Sequence, residues 1–404
     1  MISATFLSLL FVLPRASTTQ DTQEPALAPL ATAHRLNSEV LGEARSFAVH
    51  TPKGYEEGDT RYPVLYVTDG PGHLLHTAGT LDFLARNNRM PRMILVAIGN
   101  TDRTRDMTPT RASMLRPDGQ LTPFPTSGGA DAFLDFFEKE LIPWVDSNYR
   151  TQPYRVFAGH SFGGLLAVHS FLERTSLFNA YLAVSPSLWW DKGLLPRRAE
   201  AFFAKRDGAE LNCALYVTLG SEGGTMLVAF ERFNEILEEQ GDIPGFTWGA
   251  KHMLDEDHGS IVLRSHYHGL LHIFQSWRVP RDKEGAVLGG FEGVRRHYAK
   301  LSKQLGYSMP LPEELVNRLG YEAIGAKKLD EAIAIFKSNV EHFPNSPNVY
   351  DSLGDAYMEA EDFAQAFASY QRAVALAQKD GHQNLELYQA NLEKALRKKK
   401  GEAL

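Results

Sequence analysis

The sequence predicts an α/β fold in which a mostly parallel sheet is flanked by helices and followed by a small all-α region. Between about residues 45 and 277, short apolar runs alternate with longer stretches of helical periodicity. After residue 277 the strand-like runs stop and only helical patterns remain. The chain has 404 residues, which is enough for two domains of unequal size. We place the sheet domain at residues 31–278.

The predicted strands are short and almost continuously apolar, which is typical of a sheet covered on both faces. Helices are expected between them, because apolar residues there recur at helical spacing over residues 130–148, 165–172, 226–240 and 261–277. The seven predicted strands are residues 46–51, 63–68, 93–99, 155–158, 180–184, 214–219 and 246–253.

The C-terminal region contains a repeat with a period of 34 residues. Its pattern of small and large apolar positions is similar to that of tetratricopeptide repeats, in which small residues let two helices approach. We predict such repeats over residues 311–398, with a helix at 385–396 covering the open end and a linker and connecting helix over 279–310. These repeats could bind a protein partner. The recurring residues are Leu319, Gly320, Ala332, Phe336 and Val340, followed by Leu353, Gly354, Ala366, Tyr370 and Val374.

Composition excludes several classes of function. The 42 Lys and Arg residues against 49 Asp and Glu residues give a formal net charge of -7, so no basic excess is available to attract nucleic acid. The single cysteine, Cys213, lies in an apolar run, which predicts a buried and inert thiol. A disulfide framework and a cysteine metal cluster are therefore not expected.

The N-terminus begins with an apolar run over residues 4–13, followed by small and polar residues. This run is too short to span a bilayer and is similar to the core of a secretory signal peptide. We predict a signal peptide over residues 1–20, export to the periplasm or the medium, and no membrane span in the mature chain. No Lys or Arg precedes the run, so the alternative is an N-terminal extension on a cytoplasmic protein.

The sequence Gly159-His160-Ser161-Phe162-Gly163 has the pattern G-x-S-x-G, between a predicted strand and a predicted helix. In that context the serine lies on a sharp strand-to-helix turn that exposes its hydroxyl at the carboxyl edge of the sheet. We therefore predict that Ser161 is a nucleophile.

A serine hydroxyl needs a base at neutral pH, and in this fold class the base follows the last strand. His258 lies after the predicted strand 246–253, and Glu222 is the first carboxylate after the preceding strand. The predicted triad is Ser161, Glu222 and His258, with the carboxylate orienting the imidazole. Asp257 and Asp255 are the alternative acids.

An oxyanion hole should combine the Phe162 N–H with an N–H from the loop after strand 63–68. That loop reads Asp-Gly-Pro-Gly, and its proline has no N–H to donate. The candidate donors are Gly70, Gly72 and His73, of which Gly72 is the preferred one.

Together these segments resemble the esterases of the α/β-hydrolase fold that include esterase D, feruloyl esterases and the enterobactin and bacillibactin esterases. The matching stretches are YPVLYVTDG at 62–70, AIGNTDRTRDMTPT at 97–110, GHSFGG at 159–164, AVSPSLWW at 183–190 and EDHGS at 256–260. The resemblance implies a serine carboxylic ester hydrolase that needs no metal or other cofactor, with Ser161 and His258 matching the nucleophile and the base. It does not fix the substrate, which we expect to be a small-molecule ester.

Two further sets of residues are candidates for substrate binding. Trp189 and Trp190 offer flat apolar walls near the nucleophile, suited to acyl chains or aromatic acids. Arg103 and Arg105 could hold an anionic substrate such as a ferric triscatecholate siderophore, or could brace a loop through ion pairs. Acyl transfer to an alcohol would use the same triad. A non-enzymatic alternative is an interaction protein that binds partners through its repeats.

Overall fold

The computed structural model describes residues 30–115, 120–206 and 209–401, so the predicted signal peptide lies outside the described residues. Eight strands form one sheet in the order β1-β2-β4-β3-β7-β8-β9-β10. The two strand pairs at one edge, β1–β2 and β2–β4, are antiparallel, and all the other neighbouring pairs in this sheet are parallel. The predicted α/β class is confirmed. The sheet strands are β1 (Thr32–Ser38), β2 (Glu43–His50), β3 (Tyr62–Val67), β4 (Ile94–Ile98), β7 (Thr151–His160), β8 (Ala180–Val184), β9 (Cys213–Leu219) and β10 (Phe246–His252).

All seven predicted strands are present, and three others were missed. The missed edge strand β1 alternates between exposed and partly buried residues, so it has no continuous apolar run to reveal it. The other two, β5 (Ser113–Leu115) and β6 (Leu121–Pro123), form a separate antiparallel hairpin of three-residue strands. Strand β7 begins at Thr151, four residues before its predicted start. The prediction missed these first residues because they include polar side chains that interrupt the apolar pattern.

Helices cover both faces of the sheet. On β3, Val64 and Tyr66 point into the larger core while Leu65 and Val67 point into the core on the other face, which explains the continuous apolar run. Helices α1 (Gly70–Arg86) and α8 (Ile261–Ile273) cover the face with the smaller core. The larger core lies under α3 (Ala130–Phe136), α4 (Ile142–Asn148), α5 (Phe162–Glu173), α6 (Trp190–Ala204) and α7 (Thr225–Glu239), and the short helix α2 (Arg103–Met107) lies beside it.

The C-terminal region is all helical, as predicted. Helices α10 and α11 pack together, as do α12 and α13, and α14 packs on α13. A Cβ atom on Gly320 would clash with the Phe336 ring, and one on Gly354 would lie 2.5 Å from Tyr370 Cε1, so these glycines permit the close helix contacts. The helices are α9 (Gly290–Leu305), α10 (Glu313–Gly325), α11 (Leu329–His342), α12 (Pro347–Glu359), α13 (Phe363–Asp380) and α14 (Leu385–Lys399).

The connection between the two regions is packed on the sheet domain. Leu305, at the end of α9, is buried in the same core as Leu270 and Ile273 of α8, and Tyr307 and Met309 pack against that core. At the other end of α9, Val294 is buried in the core of the helical region. The predicted linker at 279–310 therefore contributes to both cores. Within the described ranges no helix combines the length and apolarity needed to cross a membrane.

Candidate active site

Ser161 lies on a strained turn between β7 and α5. Its backbone has φ 59° and ψ −112°, a conformation that a residue with a side chain rarely adopts. The flanking glycines make this turn possible, because a Cβ atom on Gly159 would clash with the Gly163 carbonyl and one on Gly163 would clash with Thr68 Oγ1. The turn is also held by a hydrogen bond of 2.9 Å from the Ser161 N–H to the Val184 carbonyl. This is the geometry of a nucleophile elbow.

The hydroxyl of Ser161 lies at the carboxyl edge of the sheet, partly exposed. Its Oγ atom is 3.4 Å from Ser187 Oγ, and the Ser187 N–H donates to the Ser161 carbonyl at 3.1 Å. Ser187 therefore packs directly against the predicted nucleophile.

Glu222 and His258 meet at the same edge, because each follows a parallel strand: Glu222 follows β9, and His258 follows β10. His258 Nδ1 lies 2.6 Å from Glu222 Oε1. The carboxylate is 13% exposed and the imidazole 43% exposed, so the acid is the sheltered partner. Burial raises the pKa of the Glu222 carboxyl, but its hydrogen bonds with His258, Ser185 and the backbone together outweigh burial and hold that pKa below its usual value. Glu222 is therefore ionised at neutral pH and can orient the imidazole.

The two alternative acids are occupied elsewhere. Asp255 forms an ion pair with Arg264. Asp257 Oδ1 accepts hydrogen bonds of 2.8 Å from the backbone N–H groups of Gly259 and Ser260. These bonds brace the turn that carries His258, whereas Glu222 contacts the imidazole itself.

His258 is brought next to the elbow by its contact with His160, the residue before Ser161. The two imidazole rings have centroids 4.6 Å apart. Burial lowers the pKa of His160 to about 4, so this ring is neutral at pH 7. It therefore does not compete with His258 for an ion pair with the Glu222 carboxylate. In the described part of the chain His258 has no hydrogen bond to Ser161 Oγ. Such catalytic bonds are often long before a substrate binds.

His160 belongs to a group of histidines that sequence reasoning did not single out. His73 and His76 extend from α1 and His266 from α8, with neighbouring ring centroids 5.2 to 6.2 Å apart. The i, i+3 spacing of His73 and His76 could have placed them on one face of α1. Across the described ranges, no three His, Cys, Asp or Glu side chains are arranged to hold a metal ion.

The predicted oxyanion donors differ in availability. Phe162 is the first residue of α5, so its N–H has no acceptor within the helix. Gly72 is a wrong choice, because its N–H donates to the Asp69 carbonyl at 2.9 Å in the first turn of α1. Gly70 is the first residue of that helix, and a Cβ atom there would lie 2.5 Å from the Ala97 carbonyl carbon. Gly70 is the better candidate for the second donor.

The two tryptophans have different surroundings. Trp190 is 1% exposed, packs against Phe124 and Phe162, and donates from Nε1 to Thr110 Oγ1 at 3.1 Å. The expectation that Trp190 contacts substrate is therefore wrong, because its ring is part of the core. Trp189 lines an open cleft between α6 and α7, and its ring centroid lies 6.4 Å from that of Phe162.

The two arginines brace loops. Arg105 is paired with Glu43 and Asp106, at 2.5 and 2.7 Å, and Asp106 also pairs with the buried Arg45. Of the two roles expected for Arg105, these contacts favour the ion-pair role over substrate binding, since its guanidinium is committed to two carboxylates. Arg103 pairs with Asp69 at 2.7 Å and donates to the His160 carbonyl at 3.0 Å, which ties the elbow to the start of α1.

Comparison with known proteins agrees with this architecture. Residues 38–222 match the family described as "Putative esterase", a segment that contains Ser161 and Glu222. The siderophore triacetylfusarinine C esterase of Aspergillus fumigatus is 32% identical over 45% of this chain and 64% of its own length. The ferri-bacillibactin esterase of Bacillus subtilis is 32% identical over 38% of this chain and 58% of its own length. The chain thus spans about three fifths of the length of these relatives.

Among solved structures, an IroE-like serine hydrolase from Shewanella oneidensis superposes with a TM-score of 0.65 at 29% identity. The match covers 78% of this chain and 99% of that protein. The sheet order, the elbow and the helices on both faces define an α/β-hydrolase fold. Within that fold class, the segment at residues 38–222 is similar to the esterase family whose model it matches.

Proposed function

We propose that this protein is a serine carboxylic ester hydrolase that works through an acyl-enzyme. The observation that carries the proposal is the pairing of His258 Nδ1 with Glu222 Oε1 at 2.6 Å beside the strained Ser161 elbow. A carboxylate fixed on Nδ1 leaves Nε2 as the basic nitrogen, which is what activation of a serine hydroxyl requires.

The proposed reaction has two halves. His258 Nε2 takes the proton of Ser161 as Oγ attacks the ester carbonyl, and the N–H groups of Phe162 and Gly70 stabilise the oxyanion. The imidazolium then protonates the departing alcohol oxygen, leaving an ester on Ser161. Water, deprotonated by the same nitrogen, attacks that ester and releases the acid, and the proton returns to Ser161.

The test is turnover of p-nitrophenyl acetate by wild type and by Ser161→Ala. Loss of the nucleophile should reduce kcat by at least about a thousandfold with the fold intact. Ser147→Ala is the matched control, because it removes the hydroxyl of an exposed serine on α4 that donates to the Pro143 carbonyl, away from the triad. Wild-type turnover by Ser161→Ala would refute the proposal.

A second candidate, hydrolysis of siderophore esters, is favoured by the names of the two relatives. Against it, Arg103 and Arg105, the cations that sequence reasoning offered for an anionic iron complex, are both paired with carboxylates. Assay of a ferric triscatecholate trilactone beside short aryl esters separates the two. We expect aryl ester turnover to exceed siderophore hydrolysis, and efficient cleavage of the trilactone would reverse that order.

Two further predictions from the sequence are also proposals. We propose that α10 to α13 are two tetratricopeptide-like repeats capped by α14, since Phe336 and Tyr370 fill equivalent places over Gly320 and Gly354. Retention of a protein partner from the native cell by the wild-type chain, lost on mutation of that region, would support a binding role. We also propose export, which N-terminal sequencing of the protein made in its own cell would test.

A further inference from the structure

A cleft of about 630 Å³ opens between α6 and α7, at the carboxyl edge of the sheet. The α6 side of the cleft begins at Trp189, whose ring neighbours that of Phe162. The α7 side begins at Gly224, two residues after Glu222. Val228, which lines the cleft, is 66% exposed, so part of the cleft wall is apolar and open to solvent. The cleft is therefore an apolar surface next to the predicted nucleophile.

The mouth of the cleft is shaped by a strained turn. Asp191, Lys192 and Gly193 have φ of 48°, 58° and 75°, so three successive residues are left-handed inside α6. Each non-glycine residue in that conformation costs about 1 kcal/mol or more, and such strain persists only where the surroundings impose it. Thr110 Oγ1 donates to Asp191 Oδ2 at 2.8 Å, and Arg197 donates to the carbonyls of Asp191 and Lys192.

This turn places positive charge at the cleft that is not ion-paired among the described residues, since the Asp191 carboxylate is bonded to Thr110 Oγ1. Among the described residues Lys192 has no hydrogen-bond or ion-pair partner for its ammonium group, and Arg197 bonds only to carbonyl oxygens. Arg232, also on the cleft, is neutralised by Glu200 and Glu235. A solvent-exposed lysine at the rim of an apolar cleft suits a ligand that is apolar along its length and anionic at its far end.

The cleft is linked to the elbow through Trp189, whose ring neighbours that of Phe162, the residue after Ser161. The departing oxygen must lie by His258, which protonates it, and His258 packs against His160, the residue before Ser161. The leaving group and the cleft thus contact different residues of the elbow, which makes the cleft available to the acyl group.

We infer that the cleft binds the acyl group of the substrate and that Lys192 selects acyl groups carrying a terminal anion, such as dicarboxylic half-esters. This inference rests on the proposed function. It deepens that proposal by naming the class of acid released.

Two substrates of equal acyl length test it: p-nitrophenyl hexanoate and the mono-p-nitrophenyl ester of adipic acid, which differ by a terminal carboxylate. In Lys192→Gln, the ratio of kcat/KM for the adipate ester to that for the hexanoate ester should fall about threefold, the effect of losing one solvent-exposed ion pair. Lys205→Gln, at the exposed far end of α6, is the matched control and should leave the ratio unchanged.

Val228→Trp provides a second test of the acyl site that does not depend on charge. The larger ring should fill the cleft and lower kcat/KM for both six-carbon esters relative to p-nitrophenyl acetate, whereas Val228→Ala should not. An unchanged adipate-to-hexanoate ratio in Lys192→Gln would overturn the selectivity, and an unchanged chain-length preference in Val228→Trp would overturn the acyl site. If Ser161→Ala still turned over p-nitrophenyl acetate, the proposed function itself would fail.

Discussion

Glu222 Oε1 lies 2.6 Å from His258 Nδ1, and Glu222 is the more sheltered of the two side chains. Glu222→Gln should therefore reduce kcat by about a hundredfold to ten-thousandfold, because the amide removes the negative charge and can hold the wrong imidazole tautomer. KM and the free energy of unfolding should change little. Steady-state kinetics on a p-nitrophenyl ester and urea denaturation measure the two effects.

The matched controls for that variant are Asp255→Asn and Asp257→Asn. Both residues lie in the loop that carries His258, but their bonds go to Arg264 and to backbone N–H groups. Each should keep kcat within about tenfold of wild type, as expected for residues that brace a loop. A collapse of kcat in either aspartate variant, with Glu222→Gln near wild type, would move the acid into that loop.

The buried histidines predict that stability falls in mild acid. Burial lowers the pKa of His160 to about 4 and also lowers the pKa values of His73, His76 and His266. Between about pH 6.5 and pH 4 the unfolded chain takes up protons that the folded chain does not. Stability should be full above pH 6.5 and should decrease as the pH falls through that window, by about 2 kcal/mol at pH 5 for His160 alone.

Denaturant titrations at pH 7 and pH 5 check this prediction. His160→Phe keeps an aromatic ring against His258 but removes the titrating group, so its loss of stability between the two pH values should be smaller than that of wild type. An equal loss in wild type and His160→Phe would show that other groups cause the decrease.

Much of this site could be predicted from sequence, because its signals are local. The glycines of the elbow have no space for a Cβ atom, and the order of nucleophile, acid and base follows from strands that all end at one edge. In the sequence, the one feature that distinguishes Glu222 from Asp255 and Asp257 is that Glu222 is the first carboxylate after its strand. The structure adds the reason, which is that the two aspartates are held by other partners.

The errors came from contacts between residues distant in the chain. Trp189 and Trp190 are adjacent residues of the same type, but the first lines the cleft and the second is buried in the core. The sequence leaves open whether Arg105 binds substrate or forms ion pairs, because its partner Glu43 lies 62 residues earlier. Sequence alone does not show that α1 begins at Gly70 and that the Gly72 N–H is bonded within its first turn. It therefore cannot exclude Gly72 as an oxyanion donor. Such facts depend on tertiary packing rather than on spacing.

The helical region offers a test of packing that is independent of chemistry. Gly320→Ala should destabilise α10 and α11 by about 1 to 3 kcal/mol, since the added methyl group would clash with the Phe336 ring. Gly325→Ala in the same helix is the matched control, because nothing lies within 4 Å of a Cβ atom there, and it should be neutral or slightly stabilising. Amide hydrogen exchange across residues 313–342 measures the difference, and equal protection in the two variants would contradict this packing.

The most direct test of the central claim is to identify the side chain that acts as the nucleophile. Incubation with a fluorophosphonate, which reacts with activated serines, followed by peptide mass spectrometry should give one adduct, on the peptide containing Ser161. Ser161→Ala should remain unlabelled, and Glu222→Gln should label much more slowly than wild type because its imidazole is poorly oriented. An adduct on another serine, or rapid ester turnover without any adduct on Ser161, would contradict the account.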